Sequence, residues 1–536
     1  MRPRAFASAS AAALAFAVAY AGLRWGALVA GGADSYGYVS QAELWRGGTL
    51  IVQQDVVRPT PWPYAVDTWT PLGYRPSPRV RDGYVPLYAP GLPLLMAAAQ
   101  AVAGFCAAFA IVPLCGAMTV WLTFVLGRRL FDQPRIALAG AALVAASPVF
   151  LYQVMNAMSD VPTTAFWTLA VVLAAARRPL GSGAAMAAAM AIRPNLAPLA
   201  AIIAVWIWVR AGTSDERWRS LIRFAAGSAP AIIGIVWLNA RLYESPLTSG
   251  YGTTADLYSL RYAAANAANF TSWLLDVETP IVALAAIYIA LPMAFPSRPA
   301  RAARPLAAAT ALATLLSYLF YRPFDVWWYL RFLLPMWPLM MLTVAAAIDG
   351  LSRRLHPSDH RTSVAPIVLA AAVGLLAVHH LRLAAARSVF DLGRSERKYV
   401  DVARFVADHT EPDAVILAHQ HSGSLRLYAG RLTLRYDILD PDWLDRALAT
   451  LQSSGRHPYI VLDGPEVDAF RRRFAASPAG ALASAPIAEL NGVVFVYDAL
   501  RREAAGLPLA IASTRGSRTL LSCDAPHNRP PVRRMK

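Results

Sequence analysis

The first 38 residues, MRPRAFASASAAALAFAVAYAGLRWGALVAGGADSYGY, join a long apolar run to a polar segment that begins at Asp34. The run ends near Ala30 and has the roughly 20 residues that a transmembrane helix needs. Arg2 and Arg4 precede it, and basic residues beside a span stay on the cytoplasmic side. The stretch predicts a first span with a cytoplasmic N-terminus and an outward-facing Asp34; a cleaved signal peptide is the alternative.

The composition extends this prediction to most of the chain. Of 536 residues, 57% are hydrophobic and only 15% are charged, which is too few charges to cover a soluble surface of that size. Long Ala-, Leu- and Val-rich runs recur to about residue 381, whereas the sequence after residue 394 has ordinary polarity. We expect a transmembrane module at 1–390, a small α/β domain at 394–500, and a basic, poorly ordered tail at 501–536.

The formal net charge of +17 comes mainly from short Arg clusters between apolar runs. Such clusters orient membrane helices, so the charge does not indicate nucleic-acid binding. Placing every second cluster in the cytoplasm predicts about eleven spans and a first outer loop at 31–103 with juxtamembrane helices. The fold class is therefore a mainly α, polytopic transmembrane helical bundle whose C-terminal domain is extracytoplasmic. High Arg and Ala with two lysines, Lys398 and Lys536, favours a bacterial inner (plasma) membrane.

With this topology, several ionisable residues meet at the outer face: Asp34, Asp160, Arg193, Arg322, Asp325 and Arg331. Ionisable groups near a membrane are costly and are mostly retained for function. Asp34 and Asp160 also fit a structural role, because each begins a predicted helix and can cap it. The arginines can equally extend toward lipid headgroups. Both readings stay open at this point.

Short motifs in a shared order resemble the GT-C glycosyltransferases that use polyprenyl-phosphate sugars, a group with protein mannosyltransferases and bacterial aminoarabinose transferases. They are Asp34-Ser35-Tyr36, Tyr88-Ala89-Pro90-Gly91-Leu92-Pro93-Leu94-Leu95, Ser159-Asp160-Val161-Pro162, Arg331-Phe332-Leu333-Leu334-Pro335 and, more weakly, Ile192-Arg193-Pro194. The resemblance covers the order and spacing of most of residues 1–350.

The resemblance implies a membrane-bound, inverting glycosyltransferase of the cell envelope, which moves a hexose or pentose from a polyprenyl-phosphate donor to an outer glycan, lipid or protein. It assigns the catalytic base to Asp34 and the second outer acid to Asp160. Arg193, Arg331 and Arg322 are the candidate ligands of the donor phosphate. The remaining candidate substrate contacts are Tyr36, Tyr88 and Asp325.

The chain departs from the family where Asp34 is followed by Ser and Tyr, not by the paired acids or Asp-x-Asp of its relatives. No metal ligand is assigned and no cofactor is certain; a divalent metal stays open. The base also stays open among Asp34, Asp55, Asp67 and Asp82. The alternative function is a transporter or lipid flippase, which places its ionisable residues nearer mid-membrane.

Cysteines and histidines give weaker signals. Cys106 and Cys115 lie in one predicted helix about 13 Å apart, too far to bridge, and Cys523 is expected to be alone. In the C-terminal domain, His419 and His421 flank Gln420 at the end of a predicted strand. Because no third ligand accompanies the two imidazoles, packing or contact with an acceptor is favoured over a metal site.

Overall fold

The computed structural model describes residues 3–292, 298–355, 364–501, 509–511 and 523–526, and it is mainly helical. The α-helices are Pro3–Trp25, Asp34–Gly47, Ala65–Thr68, Gly91–Ala103, Ile111–Phe131, Pro134–Ala146, Pro148–Val154, Asp160–Ala175, Pro179–Ile192, Pro198–Arg210, Ser214–Tyr243, Thr254–Leu257, Ala263–Val277, Ala283–Ala290, Arg298–Leu319, Trp337–Leu355, Ala365–Ala386, Leu392–Ser395, Lys398–His409, Ser422–Ser424, Leu444–Ser453 and Gly464–Arg473.

Short 3₁₀ or π turns link several of these helices. They are Asp55–Val57, Phe105–Ala110, Pro194–Leu196, Leu260–Tyr262, Pro280–Val282, Trp327–Met336, Val389–Asp391, Leu425–Ala429, Pro441–Trp443 and Ala479–Ala481.

Within the described ranges, five helices are long and apolar enough to cross a membrane, and seven if each of two bent pairs forms one span. The shorter apolar helices include Asp160–Ala175 and Pro179–Ile192. Their 16 and 14 residues reach only about 24 and 21 Å at 1.5 Å per residue, against a hydrocarbon core of about 30 Å. The chain is a multi-pass membrane protein, and the predicted count of eleven spans stays a prediction.

The two bent pairs meet at a buried polar contact. Pro134–Ala146 and Pro148–Val154 bend by 63° at Ser147, and the second pair bends by 110° beside Glu278. Ser147 Oγ donates to Glu278 Oε1 at 2.5 Å and accepts from Trp337 Nε1 at 3.0 Å. Ser147 at the first bend therefore bonds Glu278 at the second, and Trp337 bonds Ser147. These contacts hold both bends against the helix that starts at Trp337.

Two sheets lie outside the helical module. Strands β1 (Val52–Gln53), β2 (Tyr74–Pro76) and β3 (Gly83–Pro86) form a small antiparallel sheet in the order β1-β3-β2. The second sheet contains β4 (Val415–Leu417), β5 (Leu432–Leu434), β6 (Pro458–Asp463), β7 (Ala488–Leu490), β8 (Val494–Asp498) and β9 (Leu509–Ile511). Its order is β5-β4-β6-β8-β7-β9, with β4 parallel to both β5 and β6.

The C-terminal region contacts the segment between the first helix and residue 90 through several hydrogen bonds. The Ala30 amide donates to the Tyr428 hydroxyl at 2.9 Å, and the Arg435 amide donates to the Thr68 carbonyl at 2.7 Å. Arg426 bonds Gln54 Oε1 at 2.8 Å and the Trp69 carbonyl at 2.5 Å. The second sheet is therefore fixed against the segment that begins with Asp34.

The expectation that Cys523 is alone was wrong, because Cys106 and Cys523 form a disulfide with Cα atoms 5.5 Å apart. Cys115 is a buried free thiol. The predicted boundary at residue 501 also divides the second sheet, since β9 pairs with β7; most of the predicted tail lies outside the described residues. No spacing rule predicts a disulfide between cysteines 417 residues apart.

Candidate active site

A cavity of about 870 Å³ lies where the first outer segment, the ends of several apolar helices and the second sheet meet. Its ionisable lining residues are Asp34, Asp160, Arg193, Arg322, Arg331 and His419. The first five of these were singled out from the sequence. With a neutral imidazole, two carboxylates and three guanidinium groups leave the lining with one net positive charge.

Asp34 is the first residue of the helix Asp34–Gly47, where the positive end of the helix dipole favours a carboxylate. The Tyr88 hydroxyl donates to its Oδ1 at 2.6 Å, and Arg331 Nη1 donates to its Oδ2 at 3.1 Å. Its side chain is still 28% exposed. A carboxylate has about four lone-pair sites, so Asp34 is fixed in place and retains capacity for another donor.

Two glycines explain how Tyr88 reaches this carboxylate. A Cβ on Gly37 would lie 2.1 Å from the Tyr88 ring, and one on Gly91 would lie 2.5 Å from the backbone of Ala191. Only a residue without a side chain permits either approach. Burial, followed by the negative charge of Asp34, raises the pKa of Tyr88 well above its usual value, which keeps the hydroxyl protonated and donating.

Asp160 and Arg193 form the second ion pair of the cavity. Asp160 begins the helix Asp160–Ala175, and Arg193 directly follows the helix Pro179–Ile192. Arg193 Nη2 lies 2.7 Å from Asp160 Oδ1, and the carboxylate side chain is 1% exposed. Arg193 Nε also donates to Ser159 Oγ at 3.0 Å, and its Nη1 donates to the Tyr318 hydroxyl at 2.9 Å. The guanidinium group is thus held on three sides.

Aromatic rings complete the walls. The guanidinium carbon of Arg331 lies 4.7 Å from the Tyr329 ring centre and 5.4 Å from that of Phe332. Phe332 stacks on Tyr318 at 4.6 Å between centres. Eight tyrosines line the cavity: Tyr38, Tyr88, Tyr243, Tyr251, Tyr258, Tyr318, Tyr321 and Tyr329. Tyrosine supplies both an apolar face and a hydroxyl, a combination that suits a ring-shaped, hydroxyl-rich ligand.

Arg322 differs from the other two arginines of the cavity. Its side chain is exposed, and within the described ranges it makes no ion pair. One flank of the cavity is apolar, with Ile235, Leu238 and Leu242 on the helix Ser214–Tyr243 followed by Leu247. The cavity therefore combines an available cation with an apolar wall.

The other residues predicted from the sequence lie elsewhere. Tyr36 is buried against Tyr74 and Gly423, Asp325 is exposed, and neither lines the cavity. The alternative bases Asp55, Asp67 and Asp82 are also absent from its lining, and Asp82 instead pairs with Arg58 at 2.6 Å. Of the four acids left open, Asp34 is the one that reaches the cavity.

The donor set does not fit a divalent cation. The two carboxylates of the cavity are each paired with an arginine, whereas Mg²⁺ and Ca²⁺ need several free oxygen ligands. Across the described residues, no group of three or more His, Cys, Asp or Glu side chains is close enough to hold a metal.

Sequence reasoning missed the cavity tyrosines at positions 251, 258 and 318, and it favoured packing or contact with an acceptor for His419. His419 follows β4 and reaches the cavity from the C-terminal region. Its position beside Gln420 and His421 was noticed, but nothing in the sequence places it near Asp34, 385 residues earlier in the chain.

Comparisons with known proteins agree with this architecture. Residues 87–238 match the family model described as dolichyl-phosphate-mannose-protein mannosyltransferase. No curated protein matches the chain in a sequence search. Among solved structures, ArnT from Cupriavidus metallidurans bound to undecaprenyl phosphate has a TM-score of 0.57 at 14% identity, covering 92% of this chain and 98% of that chain.

Two archaeal structures are also similar. The Archaeoglobus fulgidus oligosaccharyltransferase tethered with an acceptor peptide has a TM-score of 0.51 at 13% identity. AglB from the same organism, in complex with an inhibitory peptide and a dolichol-phosphate, has a TM-score of 0.51 at 12% identity. Each alignment covers 88% of this chain and 71% of the other. The family model covers residues 87–238, and the solved structures, all under 25% identical, show that the chain shares their fold.

Proposed function

We propose that the chain is an inverting glycosyltransferase that moves a sugar from a polyprenyl-phosphate donor to a hydroxyl acceptor, with Asp34 as general base. The observation that carries the proposal is the partly exposed Asp34 carboxylate in a net positive, tyrosine-rich cavity with an apolar flank. The GT-C proteins that the sequence resembles are glycosyltransferases, and the ArnT and AglB structures contain undecaprenyl phosphate and dolichol-phosphate.

The donor's chemistry matches three parts of the cavity. The exposed Arg322 is available to pair with the lipid phosphate, and guanidinium groups bind phosphate oxygens well. The isoprenoid chain would lie along the flank formed by Ile235, Leu238 and Leu242. The sugar would lie among the tyrosines, whose faces pack against a ring and whose hydroxyls bond its substituents.

In the transfer step, Asp34 takes the proton of the acceptor hydroxyl as that oxygen bonds the anomeric carbon. The bond from this carbon to the lipid-phosphate oxygen breaks on the opposite face, and the electron pair leaves with the phosphate. Fixed cations stabilise the charge that develops there. Arg331 and Arg193 are held by carboxylates and aromatic rings, so they need little reorganisation during the step.

Asp160 is assigned a positioning role beside the base. Its side chain is almost fully buried and its carboxylate faces Arg193 at 2.7 Å, which leaves little access for an acceptor. It fixes the guanidinium group that Ser159 and Tyr318 also hold. No step is routed through a metal, because the carboxylates that would bind one are paired with arginines.

The proposed site faces the outside of a bacterial inner membrane, with the N-terminus in the cytoplasm. The disulfide between Cys106 and Cys523 supports this orientation, since disulfides persist in oxidising compartments and are rare in the cytosol. It lies at the start of the apolar helical stretch Phe105–Phe131, whose other end carries Arg128 and Arg129. Basic residues at that end favour the cytoplasmic side.

The proposal is tested with full-length protein in lipid nanodiscs, a labelled polyprenyl-phosphate sugar, and the envelope fraction of a strain lacking this gene as acceptor. We expect label transfer without a membrane gradient, and a fall in kcat of about 10²- to 10⁴-fold for Asp34→Asn, the range of general-base catalysis. Asp82→Asn is the matched control, because this acid lies in the same segment but outside the cavity. Transfer by Asp34→Asn at the control rate would exclude Asp34 as the base, and no transfer by wild type would exclude the function.

A further inference from the structure

The C-terminal sheet reaches the cavity through His419, which follows the carboxyl end of β4. The parallel strands lie in the order β5-β4-β6. The chain therefore passes from β4 to β5 on one side and later enters β6 on the other side of β4. Such a reversal opens a crevice at the carboxyl ends of the two strands, where ligands of open α/β sheets bind. Here the crevice lies between the residues after β4 and those that end β6.

This crevice is lined by polar groups. His419, Gln420 and His421 follow β4, and Asp463 ends β6. The Gln420 amide donates to Glu466 Oε1 at 3.2 Å, and His421 Nε2 lies 3.1 Å from Asp463 Oδ1. His421 is fully buried and does not line the cavity. His419 is the histidine of the pair that lines the cavity.

The imidazole of His419 is oriented by a carboxylate from the neighbouring strand. Nδ1 lies 3.1 Å from Oδ1 of Asp437, which follows β5, and Arg435 Nε donates to the same oxygen at 3.0 Å. Burial raises the pKa of Asp437, but the contacts with His419 and Arg435 outweigh it and hold that pKa below its usual value. The Asp437 carboxylate thus lies on the Nδ1 side of the ring, and Nε2 is the nitrogen away from it.

We propose that the carboxyl end of β4, beside this crevice, forms the acceptor subsite of the cavity, with His419 binding an acceptor hydroxyl and Asp437, which follows β5, positioning the ring. The inference rests on the proposed function and places its second substrate, the acceptor, at the carboxyl end of β4 in the C-terminal region. Arg322 and the apolar flank take the donor, while His419 meets the acceptor from the C-terminal region. Asp34 lies in the same cavity and removes the proton.

The chain offers a matched control. His457 Nε2 pairs with Asp498 Oδ1 at 2.8 Å in the same sheet. The side chains of His457 and Asp498 are 29% and 23% exposed, and those of His419 and Asp437 are 28% and 25% exposed. His457 does not line the cavity. His457→Gln therefore removes a His–Asp pair of nearly equal exposure that lies outside the cavity.

The experiment varies the envelope fraction of the deletion strain at saturating labelled donor, with full-length variants in nanodiscs. We expect His419→Gln to raise the half-saturating amount of acceptor fraction about tenfold, the loss of one hydrogen bond, with an unchanged half-saturating donor concentration. Asp437→Asn, which keeps the imidazole, should raise the acceptor requirement less. His457→Gln should match wild type.

Two outcomes overturn the inference while leaving the proposed function intact. In the first, wild type is active, and His419→Gln and His457→Gln have the same half-saturating amount of acceptor fraction. In the second, the half-saturating donor concentration of His419→Gln rises by the same factor as its half-saturating amount of acceptor fraction. Absence of label transfer by wild type would instead remove the function on which the inference rests. Co-elution of each variant with wild type on size-exclusion chromatography verifies folding before these comparisons.

Discussion

Replacing Asp160 with Asn should destabilise the protein markedly, because it leaves the Arg193 guanidinium without its anion. Arg193 Nη2 and Asp160 Oδ1 are 2.7 Å apart, and the two side chains are only 14% and 1% exposed, so water screens this pair little. Breaking a buried ion pair on one side costs about 3–5 kcal/mol of unfolding free energy. With an unfolding entropy of about 1.1 kcal/mol/K for a chain of this length, the midpoint should fall by about 3–5 °C.

The assay is thermal unfolding of purified protein followed by size-exclusion chromatography. Asp215→Asn is the control, since Asp215 pairs with Arg219 at 2.9 Å on an exposed surface where both side chains are about 70% exposed and such pairs contribute little. Removing both charges, in Asp160→Asn/Arg193→Gln, should cost less than the two single losses together, because no unpaired charge remains. Equal midpoints for Asp160→Asn and Asp215→Asn would refute the structural reasoning for this pair.

Two further predictions concern the exposed arginine and the disulfide. Arg322→Gln should raise the half-saturating donor concentration about tenfold or more, the loss of a charge-assisted hydrogen bond, while leaving the acceptor requirement unchanged; an unaltered donor requirement would remove Arg322 from the phosphate site. Protein alkylated in intact cells should run faster on a non-reducing than on a reducing gel, and Cys106→Ser should abolish this difference while Cys115→Ser keeps it. A wild-type band with the same mobility under both conditions would show that the bond does not form in cells.

The sequence allowed much of the cavity's charge to be predicted, because apolar surroundings make its ionisable residues conspicuous. Asp34 and Asp160 each follow an apolar run directly, and Arg193 and Arg331 adjoin others. Hydropathy also located the helices, although short ones such as Pro179–Ile192 leave the number of spans open. Local patterns thus carry information about which residues are unusual for their surroundings.

Such patterns could not show which charged residues pair with each other or which side chains line the cavity. That Arg193 faces Asp160 and Arg331 faces Asp34 depends on helix packing between segments up to 297 residues apart. Tyr36 and Tyr88 both stand in motifs beside the site, yet only Tyr88 lines the cavity, because Tyr36 packs against Tyr74 and Gly423 instead. His419 lies in a separate region of the chain, and its local sequence indicated packing or acceptor contact but not that it lines the same cavity as Asp34.

The disulfide also has a consequence for biogenesis. Because Cys106 and Cys523 are 417 residues apart, every later helix and the second sheet lie inside one covalent ring. The ring cannot close until the ribosome has added Cys523 and the segment bearing it has met an oxidant. Closure therefore distinguishes a finished molecule from a nascent one, and a truncated or stalled chain retains a free Cys106 thiol that alkylating reagents and cellular quality control can detect.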